Sequence, residues 1–238
     1  MHGKRTRWVE MGLSGAVALL VTSGASLAQV QVQAPQPGVP EIYTIQGEFV
    51  RVAYNLEGYS SLGYRLANDS VGQEWMRLEI GLTLREGEKK DFTLKRDGLS
   101  LSTPDGKTLP MATNMEYRSA GLQALDMRAN VIRDSINYFP PSARQACRIG
   151  FFAELDSAAM ARDQVDLSWE RACVGRIYFH VPGGIKHGQH FLDVQFANSK
   201  LRVPFRILTE EEGKVFSKSW EDIKKKLDEA WAEAARKK

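Results

Sequence analysis

Between residues 75 and 85, Met76, Leu78, Ile80, Leu82 and Leu84 alternate with Arg77, Glu79, Gly81, Thr83 and Arg85. A helix would scatter those five apolar groups around its circumference, whereas a strand places them all on one face. The segment predicts a half-buried antiparallel strand, which needs partner strands and a second apolar layer to cover it. No other feature narrows the fold class as much.

The same period of two recurs elsewhere. Residues 48–54 have the β-branched and aromatic content of a strand. Phe92 and Leu94 precede Asp97-Gly98, and Leu99 and Leu101 precede Pro104-Asp105-Gly106, with Leu109 beyond. Asp-Gly and Pro-Asp-Gly are tight-turn signals. Three more strands are expected around Ile177, Phe179 and Val181, around Leu192, Val194 and Phe196, and from Leu201 to Ile207. Pro204 cannot donate a ladder hydrogen bond, so the last strand belongs at an edge or a bulge. Many short strands at this spacing indicate a sandwich or barrel.

Residues 118–138 break the rhythm, with Leu122, Leu125, Ala129, Ile132 and Ile136 at helical spacing until Pro140-Pro141. Another short helical turn is expected over 156–162. The expected body is residues 42–208, with a helical insertion at about 118–162. A C-terminal helix over 209–238 opens on Thr209-Glu210-Glu211-Glu212, a capping-box pattern. Phe216, Trp220, Ile223, Leu227 and Trp231 then share one apolar stripe. The opposite face mixes signs, with Glu221–Lys225 and Asp222–Lys226 at i, i+4. Three readings stay open for this helix: docking on its own domain, binding a protein partner or second copy, and lying on a membrane surface.

The first 28 residues have the layout of a secretory signal peptide. Lys4, Arg5 and Arg7 precede an apolar run, and Ser26-Leu27-Ala28 offers a cleavage site. Residues 29–41 are polar and Pro-rich and read as a flexible leader. The chain is expected to be exported, to the periplasm or the extracellular space, with no transmembrane segment after cleavage. Removing Lys4, Arg5, Arg7 and Glu10 lowers the net charge from +3 to +1. A chain so near neutrality gives no electrostatic case for nucleic acid. Cys147 and Cys173 read as one disulfide in an oxidising compartment, the alternatives being free buried thiols or a redox pair.

Chemistry-bearing patterns are sparse. His180, His187 and His190 cluster in sequence around a Gly-rich connection, and with Asp193 they make a candidate transition-metal site. Gly58-Tyr59-Ser60-Ser61-Leu62-Gly63 lies one residue from a nucleophile elbow but reads as a turn. Glu154, Asp156, Asp163 and Asp166 lack acid–base spacing. Without a phosphate loop or dinucleotide fingerprint, no cofactor is predicted.

Residues 42–110 and 176–208 resemble immunoglobulin-like β-sandwich domains of small exported bacterial proteins. The similar features are Asn68-Asp69 before the long alternating strand, the run from Leu99 to Gly106, and the closing segment from Gly175 to Pro182. The resemblance implies an immunoglobulin-like antiparallel β-sandwich acting as a binding, adhesion or accessory module. The insertion and the C-terminal helix depart from that compact pattern, so no functional residue carries over. The function expected is a non-enzymatic binding or envelope-accessory module; the alternative is a metal-binding protein or hydrolase built on the three histidines.

Overall fold

The computed structural model describes residues 42–87, 91–132, 134, 136, 138–153 and 160–236. The signal peptide expected over 1–28 and the leader over 29–41 lie outside these residues. So does most of the helical turn expected over 156–162, and its described residues, 160–162, are irregular.

The chain is mainly β. In order, it runs β1 (Ile42–Gly47), β2 (Val50–Tyr54), β3 (Gly58–Gly63), α1 (Arg65–Asn68), β4 (Trp75–Leu84), β5 (Phe92–Lys95), β6 (Leu99–Ser102) and β7 (Thr108–Pro110). Then follow α2 (Asn114–Ser119), α3 (Gln123–Val131), β8 (Gln145–Ile149), β9 (Gln164–Leu167), β10 (Arg171–His180), β11 (Gly188–Gln195), β12 (Lys200–Ile207) and α4 (Glu210–Arg236). The strands form a six-stranded sheet in the order β1-β2-β3-β4-β10-β8, a four-stranded sheet β12-β11-β6-β7 and a small β5-β9 pair. Pro204 lies on β12, an edge strand, which meets the constraint its missing N–H imposes.

The core lies between the two larger sheets. Met76, Leu78, Ile80 and Leu82 of β4 are fully buried, as are Leu192 and Val194 of β11 and Leu201 and Val203 of β12. Tyr64, just after β3, meets Phe205 of β12 with ring centroids 5.3 Å apart. Each such aliphatic side chain contributes about 1.5–3 kcal/mol through its removal from water.

Three expectations change. First, β4 is buried on both faces, not one: Arg77 and Thr83, on the face opposite the leucines, are also buried. The reason is a third layer made by α2, α3, Asp134, Ile136 and residues 138–140, which covers that outer face. Tyr117 of α2 packs on Tyr178 of β10 with centroids 4.8 Å apart, and the Ser61 hydroxyl donates to the Ile136 carbonyl at 3.0 Å. Second, the insertion holds two helices, because Gly121 at φ +61 ends the first turn-rich segment in a conformation that disfavours side chains. A capping box of Thr113 and Glu116 starts α2. Third, residues 58–63 form strand β3, not a turn. Gly58 is required by space, since a Cβ there would collide with the Phe196 ring.

One strand pairing departs from the antiparallel pattern. β8 runs parallel to β10, with Cys147 directly opposite Cys173. The two are joined as a disulfide, with Cα atoms 4.1 Å apart. Cys173 lies within β10 and not before it, so the bridge staples two neighbouring strands and ties the end of the insertion to the sheet.

Candidate functional site

The outer face of the six-stranded sheet carries a polar network where the third layer meets it. β-strand alternation puts Arg77 and Glu79 of β4 and Arg176 and Tyr178 of β10 on this face, and α3 lowers Asp126 onto them. Asp126 is 3% exposed. It accepts hydrogen bonds from the Tyr117 hydroxyl at 2.8 Å and from the Tyr178 hydroxyl. Arg77 Nε stands 3.6 Å and an Arg176 guanidinium nitrogen 3.7 Å from the same carboxylate oxygen, Oδ1. Arg77 also reaches Glu79 at 3.3 Å. Burial, reinforced by the hydrogen bond to Asp126, pushes the Tyr117 phenol up to about 12, and burial with the Asp126 charge pushes Tyr178 higher still. Both phenols therefore stay protonated donors at neutral pH.

Beside this network the third layer stands away from β8 and β10 and leaves an open groove of about 940 Å³. Ala146, Val174 and Gly175 make its floor, and Met127, Phe139 and Pro140 its wall. Gly81 lets that wall settle, because a Cβ there would lie 2.8 Å from the Phe139 ring. At the rim, Arg144 donates its Nε to the Pro141 carbonyl at 3.1 Å.

No known protein family, curated protein or solved structure matches the chain.

The three histidines of the 180–190 region are not brought together. His180 is on the outer face of β10, half-exposed, its ring tilted against Trp75 with centroids 5.1 Å apart and its Nε2 3.8 Å from Glu74. His187 is exposed in the connection. His190 is fully buried on the inner face of β11, its ring stacked on Phe205 at 5.4 Å. Its Nδ1 lies 3.1 Å from the Gly188 carbonyl, while Nε2 has no hydrogen-bond partner. Burial pushes its pKa down to about 4. Asp193 is committed to Arg202 at 2.8 Å and Lys200 at 3.0 Å. Among the described residues no group of three or more His, Cys, Asp or Glu is placed to hold a metal ion. Proximity in sequence failed here because the strands carry His180 and His190 into different layers.

Other sequence candidates are structural. Asp163 pairs with Arg96 at 3.2 Å, and Asp166 accepts the Thr93 hydroxyl at 2.7 Å. Glu154 and Asp156 lie outside the described residues.

The C-terminal helix starts as its sequence predicts. Glu212 N donates to Thr209 Oγ1 at 3.2 Å and Thr209 N to Glu212 Oε2 at 3.1 Å. Phe216 meets Phe49 at 6.2 Å and lies beneath Arg51, while Ser217 donates to Glu48 at 2.8 Å. Contact with the body then fades. Trp220 is part-buried, and residues 221–226 are all exposed, Ile223 at 46%. The side chains of Leu227 and Trp231 lie outside the described residues. Among the described residues no helix is long and apolar enough to cross a membrane.

The groove residues Arg77, Asp126, Arg144 and Arg176 were missed in the sequence. One signal was available: Tyr178 interrupts the polar face of its strand with a large aromatic group, which marks a face that is covered.

Proposed function

We propose that this chain is an exported, non-enzymatic binding module, with an immunoglobulin-like sandwich as its body and its C-terminal helix as the element offered to a protein partner. The observation that carries the reading is the departure of α4 from the body. Its stripe is anchored at Phe216 but continues through Ile223, which stays 46% exposed. An amphipathic helix of this kind suits a hydrophobic groove on another protein. Charges of both signs opposite the stripe favour a protein groove over an anionic membrane surface. A binding role also agrees with the polar network, because the Asp126 carboxylate is engaged by two phenols and two arginines. Export, to the periplasm or beyond, rests on the signal-peptide layout of residues 1–28.

Site-specific photo-crosslinking in the native envelope tests this. A crosslinker at Ile223 should capture one dominant protein, and the same group at Lys218 should not. The captured protein should copurify with the parent chain and not with a chain lacking residues 221–238, whose thermal midpoint should be unchanged. Equal capture from both positions, or crosslinks only to a second copy, would overturn the reading.

A further inference from the structure

A buried imidazole lies where two loops meet. The turn 103–107 joins β6 to β7, and the connection 181–187 joins β10 to β11. Asp105 on the turn pairs with Lys186 on the connection at 3.2 Å and with its own neighbour Lys107 at 3.2 Å. Beneath this junction sits His190, fully buried. The charged groups around the ring are Asp105 and Lys107 of the turn and Lys186 of the connection. Leu109, Val181 and Phe205 also pack there and do not titrate. His187, on the same connection, is exposed.

The ring's hydrogen bonding fixes where a proton must go. A carbonyl only accepts, so the 3.1 Å contact with the Gly188 oxygen places the ring's proton on Nδ1. Nε2 then holds the lone pair, and a second proton lands on that atom, which has no partner. An imidazolium there is a buried donor without an acceptor. The enclosed space is about 10 Å³, no more than one water fills, so no counter-ion enters while the junction is closed.

Asp105 is the one carboxylate lining the junction, and its oxygens are already engaged. It accepts the Thr103 hydroxyl at 2.5 Å besides the two lysines. Those hydrogen bonds hold its carboxyl well below the usual carboxylate range, so it stays charged in mild acid. To reach the ring, Asp105 has to release Lys186. For the ring to reach water, the cover has to lift. Either route parts the turn from the connection. The connection is built to move as a unit, with Gly184 at φ +86 near its start and Gly188 at φ +120 just past its end. Its other fastenings are two backbone bonds of 2.9 Å, Gly72 N to Ile185 O and Ile185 N to Gln73 O.

We propose that His190 is an acid-sensitive latch, whose protonation at Nε2 opens the connection 181–187 away from the turn 103–107 while the strands stay paired. Opening uncovers Val181 and Ile185, both buried in the closed form. The latch uses no residue of α4 and goes beyond the partner reading.

Backbone amide exchange of the full chain, followed by NMR and expressed as protection factors, tests this. An opening that takes up one proton should cost Ile185 and Thr103 about ten-fold in protection per pH unit between pH 6 and pH 4.5. Both amides are hydrogen-bonded in the closed form, to Gln73 and Lys107. Small additions of urea should leave these two unchanged while amides of β4 lose protection, because a local opening exposes little surface. H190F should show no pH slope at either amide. K186Q should speed exchange at both already at pH 7 and keep the slope. In the parent alone, imidazole nitrogen shifts should show a neutral ring protonated on Nδ1 at pH 6. A ring already charged there, or protonated on Nε2, would overturn the latch even if H190F does not fold. So would flat protection at Ile185 and Thr103 across the pH range, an equal slope in folded H190F, or loss of their protection in step with β4 as urea rises.

Discussion

His190 offers the sharpest test of the core. Its ring is fully buried, stacked on Phe205 at 25° between planes, with Nε2 unpartnered. Protonation would place a charge among Leu192, Val203 and Phe205 with no carboxylate in hydrogen-bond contact, and the favourable field of Asp105 is outweighed by burial. The pKa falls from 6.5 to about 4 in the folded chain. Between those values the unfolded chain binds a proton that the folded chain refuses, so this group's contribution is whole above pH 6.5 and is lost as pH falls toward 4. Acidification from pH 7 to pH 5 should remove about 2 kcal/mol through His190 alone, rising to about 3 kcal/mol below pH 4. H190F keeps a planar ring against Phe205 and cannot titrate. Urea unfolding of both proteins at pH 7 and pH 5 gives four stabilities. Every other titrating group is common to both chains, so the difference of differences isolates the imidazole. The variant should gain about 2 kcal/mol relative to the parent on acidification. A gap that stays constant between the two pH values would refute the burial argument.

Removing the disulfide as C147A/C173A should lower stability by about 3.5 kcal/mol, given the 26-residue separation of its cysteines. Denaturant titration checks this, and a thermal midpoint unmoved by reduction would show that the bridge does not support the fold. Asp126→Ala leaves Arg77 and Arg176 without their shared carboxylate and two phenols without an acceptor. Breaking a buried pair from one side costs about 3–5 kcal/mol, read as a lowered thermal midpoint, and a loss under about 1 kcal/mol would mean the network is not a structural anchor.

What could be read in the sequence follows from how local each signal is. The alternation along Met76 to Leu84 and along Leu201 to Ile207 is a backbone property, and both became strands with the apolar set inward. The Thr209–Glu212 cap is equally local. Residues 58–63 have turn composition, and their strand character comes from neighbours: Phe196 excludes a side chain at Gly58, and β2 and β4 flank the segment. Such context overrides propensity in strands more than in helices. The groove was harder. The β4–β10 register sets Arg77 opposite Tyr178 and Glu79 opposite Arg176, yet about a hundred residues separate each pair. Each of these charges alone reads as ordinary and solvent-facing. Only the third layer converts that face into an interior.

The position of Pro204 has a consequence for how the molecule meets copies of itself. β12 is an outer strand, and an outer strand is a template that another chain's backbone can extend. Here the row of available amides is broken by a residue that has none. Lys200, Arg202 and Arg206 punctuate the same strand with positive charge, and α4 departs from its end. An approaching strand would find an interrupted ladder and, along its margin, long side chains already held in ion pairs. That edge is a poor template for sheet-by-sheet growth.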